Sequence, residues 1–169
     1  MTIQSKRVTD ELVQIKLVNC IDDCSFVQHC IDSEDFHVYI DDISVPIEKY
    51  KIFVYKKKYV GIFFEKYCGD FGVDMFMPNI YIRYKKYSAI CITAMIQWLG
   101  NNYKWEKILF KVYDNNKQCL LIMKKLRIFL EGKIKNTGVS NGTYTYFFSV
   151  LPEEIEEIRK SIKKLIGEI

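Results

Sequence analysis

Several things are scarce or missing in this chain of 169 residues. No stretch reaches the roughly eighteen consecutive apolar residues that a membrane-spanning helix needs, so no span is expected. The first residues, Met1 to Arg7, lack the apolar core of a secretory signal, and the expected location is the cytoplasm. No Cys-x-x-Cys pair occurs among the cysteines at 20, 24, 30, 68, 91 and 119. They read as free thiols in a reducing compartment. Cys20, Cys24, His29, Cys30 and His37 follow no ordinary zinc spacing, so no metal is expected. There is no internal repeat, linker or low-complexity segment, and residues 1–169 read as one domain. A net charge of +4 is too mild to mark a nucleic-acid surface, and Lys56-Lys57-Lys58 reads as a solvated turn.

What is present is ordinary globular material: 49% hydrophobic and 27% charged residues, with twelve Tyr and eleven Phe, enough to fill a core. Residues 11–21 alternate from Leu12 to Val18 and read as a strand. Asp22 or Asp23 is expected to cap a short helix with Phe26, Val27, Cys30 and Ile31 on its apolar face. Residues 32–49 carry no clear pattern. Lys51–Tyr55 and Tyr59–Lys66 read as a hairpin around the lysine turn, with Gly61 marking a bulge or a close backbone approach. Gly72–Met77 reads as a strand stopped by Pro78-Asn79. Ile90, Cys91, Ala94, Met95 and Trp98 then recur at helical spacing up to Gly100-Asn101-Asn102.

Lys107–Tyr113 is a β-branched strand, and the helix after it carries Cys119, Ile122, Met123 and Leu126 on one face. Ile128–Lys135 and Thr143–Val150 read as an antiparallel pair around a loop with Thr137-Gly138 and Asn141-Gly142. Pro152 opens a last helix, acidic at its start and basic at its end as the helix dipole favours. Its stripe of Ile155, Ile158, Ile162, Leu165 and Ile166 should dock on the core. Strand, helix, strand, helix, strand in the second half implies parallel pairing, and the early hairpin antiparallel pairing. A mixed α/β sheet follows.

The richest segment runs from Arg83 to Gly132. A basic loop, Arg83-Tyr-Lys-Lys-Tyr-Ser-Ala89, feeds a helix N-terminus beside a parallel-type strand, a common way to hold phosphate groups. Asn116 opens the next helix, and Glu131-Gly132 lies in the strand beyond. This order of parts resembles the GNAT family of acyl-coenzyme A-dependent N-acyltransferases, most strongly from about residue 71 to 150. Thr143 to Glu153 is similar to the tyrosine-rich last strand and trailing Glu of the branch that includes ribosomal-protein and small-molecule N-acetyltransferases.

The resemblance implies the GNAT-type acyl-CoA N-acyltransferase fold. In it a mixed central sheet, flanked by helices, has two splayed parallel strands, here 72–77 and 107–113, with the pantetheine arm of acetyl-CoA between them. It implies direct attack on the thioester by an amine, carried by a small molecule or by a protein or peptide, in a monomer or homodimer. The family's loop, Arg/Gln-x-x-Gly-x-Gly/Ala, falls on Arg83, Lys86 and Ser88, with Lys85, Tyr87 and Ala89 beside them. Lys86 would carry a Cβ in a left-handed conformation, at a cost of about 1–2 kcal/mol. Asn116 matches the residue that contacts the cofactor arm, and is also a good helix N-cap. Met123 stands where many members have a Tyr that protonates the thiolate, and Arg127-Ile128 where they have Gly-Phe. Amides near Met75, Phe76 and Met77 would hold the thioester carbonyl. Asp74 and Glu65 are the candidate bases, and Tyr113, Tyr87 or Ser88 the replacement acid. The alternative is a GNAT-like binding or regulatory protein that has lost catalysis, favoured by Lys86, Ser88 and Met123.

Overall fold

A computed structural model describes residues 13–39, 44–69, 73–136 and 142–166. Two four-stranded sheets lie side by side. The first has the order β1 (Val13–Leu17), β2 (Lys51–Tyr55), β3 (Lys58–Phe64), β5 (Asn79–Ile82), all antiparallel. The second has the order β4 (Met75–Phe76), β6 (Lys107–Tyr113), β8 (Tyr144–Val150), β7 (Phe129–Lys135). Only the β4–β6 pair is parallel.

The β2–β3 hairpin turns on Lys56 and Lys57 alone, at φ of 46° and 65°. Positive φ at both central residues is what a two-residue hairpin turn with the right twist demands. Gly61 acts in both ways expected of it. The β2–β3 register shifts beside it, and a Cβ there would stand 2.5 Å from the Tyr81 carbonyl oxygen.

Alternation along the strands sorts side chains to two faces. Phe63, Ile80, Ile82, Ile108, Phe110, Val112, Phe148 and Val150 join one core with α3 (Ser88–Asn102), α4 (Lys117–Lys125) and α5 (Ile155–Ile166). Ile62, Phe64 and Tyr81 join a second core under α1 (Ile21–Ile31) and α2 (Glu34–Tyr39). The stripe of α5 docks as its pattern requires, with Ile158 and Ile162 buried.

Four sequence expectations change. The first helix is capped at Cys20 with no side-chain hydrogen bond. Asp23 is instead buried, accepting from Lys16 Nζ at 2.5 Å, from the Tyr59 hydroxyl at 2.6 Å and from the Asn19 N–H at 3.1 Å. Burial raises its pKa, but these three donors outweigh that and hold the carboxyl well below the usual range. The patternless 32–49 stretch contains α2. The strand expected over 72–77 shrinks to Met75–Phe76, and β5 follows it unanticipated. The residues 137–141 of the last hairpin loop, like Gly72 and Leu12, lie outside the described residues.

Candidate functional site

The site begins with a break in hydrogen bonding. Met75 and Phe76 pair with Lys107 and Ile108. The Met77 N–H then donates to the Lys66 carbonyl at 2.7 Å, toward β3. Pro78 has no N–H to return to the β6 ladder. From there β5 pairs with β3 alone, and β5 and β6 part around a cavity of ≈ 180 Å³. The splay therefore lies between 79–82 and the far half of β6, beyond the 72–77 stretch that the sequence pointed to. Arg83 N–H donates to the Val60 carbonyl at 3.0 Å. Alternation from that bond turns the backbone N–H and C=O groups of Ile80 and Ile82 into the gap.

The walls differ by side. Toward α3 and α4 the lining is apolar, with Ile80, Ile82, Phe110, Val112, Ile92 and Met123. Toward α1 and α2 it is polar, with Asn79, Tyr81, Lys111 and Tyr113 from the strands, Lys66 from just beyond β3 and Asp35 from α2. At the end of the gap stand Lys85, Ser88, Asn116 and Gln118.

That end is built locally. Lys85–Tyr87 form a 3-10 turn, and the Tyr87 N–H donates to the Tyr84 carbonyl at 2.9 Å. The Lys85 carbonyl accepts from the Ser88 hydroxyl at 2.8 Å and from Gln118 Nε2 at 3.1 Å, tying the loop to α4. Lys86 does not have positive φ, so the strain expected there does not arise. Tyr87 packs on Tyr55 with ring centroids 4.6 Å apart. This contact brings the lysine hairpin tip beside the loop. Lys56, Lys57, Lys58, Arg83, Lys85 and Lys86 thus share one region, and none has an acidic partner among the described residues. Arg83 and Lys86 lie over the rings of Tyr84 and Tyr87.

Asn116 is the N-cap of α4, its Oδ1 accepting from the Cys119 N–H at 3.1 Å. Its Nδ2 makes no hydrogen bond among the described residues and lies where a ligand in the gap could accept from it. At the other end of α4, Ile128 N–H reaches the Met123 carbonyl at 2.9 Å and Arg127 N–H the Lys124 carbonyl at 3.1 Å. This is a Schellman motif, and Arg127 occupies its left-handed position at φ 57°. Cys119 faces the gap, and burial pushes its thiol up to about 12. It is protonated at neutral pH and unsuited to nucleophilic attack.

Of the residues expected in the site, Met77, Lys85, Ser88, Tyr113, Asn116 and Met123 line the gap. Arg83, Lys86, Tyr87 and Ala89 flank its end in sequence without lining it. Met75 and Phe76 belong to the closed ladder, and the Met77 amide is occupied by Lys66. The backbone groups that do face the gap are those of Ile80 and Ile82.

Asp74 and Glu65 line a different depression, with Tyr67, Phe76 and Tyr103. Glu65 is held by an ion pair with Lys51 and accepts from the Tyr103 hydroxyl at 3.1 Å. Asp74 accepts from the Tyr67 hydroxyl at 2.6 Å. Burial, and then Glu65, raises the pKa of the Tyr103 phenol.

Sequence reasoning missed Ile80, Ile82, Tyr81, Gln118, Lys66, Lys111 and Asp35. The Asn79-Ile-Tyr-Ile82 alternation was the available signal for β5, and Pro78 the signal for the break.

No protein-family model and no curated protein matches this chain. Solved structures do. RimJ of Mycobacterium smegmatis, in complex with CoA-disulfide, superposes with a TM-score of 0.70 at 9% identity, over 94% of this chain and 91% of its own. A GNAT-family acetyltransferase from Bacillus anthracis gives 0.66 at 18% identity, over 85% and 97%. The spermidine N-acetyltransferase of Vibrio cholerae, in complex with CoA and spermine, gives 0.66 at 12% identity, over 86% and 98%. The chain has the acyl-CoA N-acyltransferase fold.

Proposed function

We propose that this chain is an N-acyltransferase that moves an acetyl or other acyl group from coenzyme A to an amine by direct attack. The observation that carries the reading is the gap between β5 and β6. An extended amide-bearing arm such as pantetheine can pair with the outward backbone groups of Ile80 and Ile82, against the apolar wall of Phe110, Ile122 and Met123. Its phosphates then reach Lys85, Ser88 and the positive end of the α3 dipole. Arg83, Lys86 and the lysine turn lie beyond, where charge-assisted contacts are strongest for phosphate oxygens.

In the reaction the amine nitrogen bonds to the thioester carbonyl carbon and gives up a proton to water, the C–S bond breaks, and the sulfur leaves as a thiolate that then takes up a proton. The chain contributes alignment and water exclusion, which carry a large share of such a reaction. Tyr113, 5% exposed and lining the gap, is the proton donor in place of a tyrosine at Met123. Glu65 and Asp74, already bonded to Lys51, Tyr103 and Tyr67, support the sheet below the gap rather than taking the amine proton. A second reading, a binding or regulatory module without catalysis, is favoured by Met123 and by the absence of these carboxylates from the gap lining.

Calorimetric titration with acetyl-CoA tests the reading. Binding is expected, weakened about tenfold by Lys85→Glu through loss of one charge-assisted phosphate contact. No heat at millimolar acetyl-CoA would sink it. Binding without thiol release from any amine would favour the second reading.

A further inference from the structure

The turn at the end of the gap is held by a side chain from another helix. The Lys85 carbonyl accepts from the Ser88 N–H, from the Ser88 hydroxyl at 2.8 Å and from Gln118 Nε2 at 3.1 Å. The first two bonds are local. The third is the one that reaches this peptide from another element among the described residues. It comes from the first turn of α4, where Asn116, Gln118 and Cys119 all line the gap. A trans peptide sets its C=O and N–H on opposite sides. With the Lys85 carbonyl turned toward α3 and α4, the N–H of the same peptide, that of Lys86, points the other way. It has no acceptor among the described residues, as expected of an amide in the first turn of a helix.

Two conformations compete for such a turn. Flipping the Lys85–Lys86 peptide would turn the Lys86 N–H inward, and it requires positive φ at Lys86, as at the third residue of a type II turn. Lys86 keeps negative φ, and Tyr87 follows at φ −94° and ψ 0°. The Cβ of Lys86 disfavours the flip from within the turn, and the Gln118 bond opposes it from outside.

We propose that Gln118 is a positioning residue for the phosphates of the acyl donor: by holding the Lys85 carbonyl, it keeps the Lys86 N–H directed at a phosphate oxygen. The inference rests on the acyl-donor reading of the gap. Gln118 is only half-buried, and α3 and α4 already share one core. Loss of its bond therefore shows in binding more than in folding. A released peptide samples both orientations, and the donor must order it on binding.

Calorimetry with the full chain provides the test, comparing acetyl-CoA with S-acetylpantetheine, which has the same arm and thioester but no phosphate. Gln118→Met keeps the length of the side chain and removes the donor group. It should weaken acetyl-CoA about tenfold, as one hydrogen bond predicts, and S-acetylpantetheine by less than about twofold. In the unsubstituted chain, exchange of the Lys86 amide read by NMR should slow on saturation with acetyl-CoA. Unchanged acetyl-CoA affinity in Gln118→Met would overturn the inference. So would equal weakening of both ligands, or a large drop in melting temperature, since either makes the bond a support of the gap as a whole. An unprotected Lys86 amide in the saturated chain would overturn it and leave the donor reading standing. Failure of the unsubstituted chain to bind acetyl-CoA would overturn both.

Discussion

The gap between β5 and β6 and the depression beneath its vertex both bring ionisable side chains to the middle of the sheet, and they do opposite things with them. In the depression each carboxylate has found a partner. Lys51 and Glu65 pair with about 10% and 12% of their side chains exposed, and Asp74 has the Tyr67 hydroxyl. In the gap, backbone groups of β5, the Nδ2 of Asn116 and the side chain of Lys85 border open volume. The carboxylates chosen by residue type and strand position, Asp74 and Glu65, line the depression and not the gap. These partners, which only the fold reveals, hold Glu65 through Oε1, while its Oε2 is buried without a hydrogen bond among the described residues.

The comparison can be broken most forcefully at Lys51. Lys51→Ala leaves Glu65 buried beside no cation and should destabilise the fold by about 3–5 kcal/mol, read by chemical denaturation. A loss below about 1 kcal/mol would mean that Glu65 is not held structurally. Within the gap, Tyr113→Phe removes the proposed acid and should lower kcat about a hundredfold, with acetyl-CoA affinity and melting temperature little changed. An unchanged kcat would return the proton donor to Tyr87 or solvent.

Asn116→Asp keeps an N-cap acceptor, so melting should shift little. It removes the Nδ2 donors and adds a negative charge near the donor's phosphates, so acetyl-CoA affinity should fall several-fold; Asn116→Ala should lose both. Equal behaviour of the two variants would reduce Asn116 to a cap.

The buried Asp23 gives a pH signature outside the gap. Its folded pKa is depressed by Lys16, Tyr59 and the Asn19 amide against the opposing effect of burial. Its stabilisation is thus complete above the unfolded carboxyl value near ~4 and is lost as pH falls below it. Asp23→Asn should flatten that acid limb of the stability curve.

Much of the architecture was readable from pattern. Lys107–Tyr113, the α3 and α4 faces, the β7–β8 pair and the α5 stripe follow from periodicity alone, because each buries one face. The break at Pro78 was not read. It depends on which neighbour the Met77 amide chooses, and that is a tertiary contact with Lys66. Strain was also misplaced. The left-handed residues are Lys56, Lys57 and Arg127, one pair in a hairpin turn and one at a helix end where the resembled family has glycine. Lys86 sits in a 3-10 turn whose Lys85 carbonyl accepts from Ser88 and from Gln118, the latter thirty-three residues beyond Lys85. No local pattern announces such a bond.

The most direct test of the gap as the acyl-donor site is amide hydrogen exchange, resolved by NMR, with and without coenzyme A. Exchange at Ile80 and Ile82 should slow on binding while Lys51, Glu65 and Asp74 are unaffected. Unchanged exchange at Ile80 and Ile82 in the saturated protein would contradict the account.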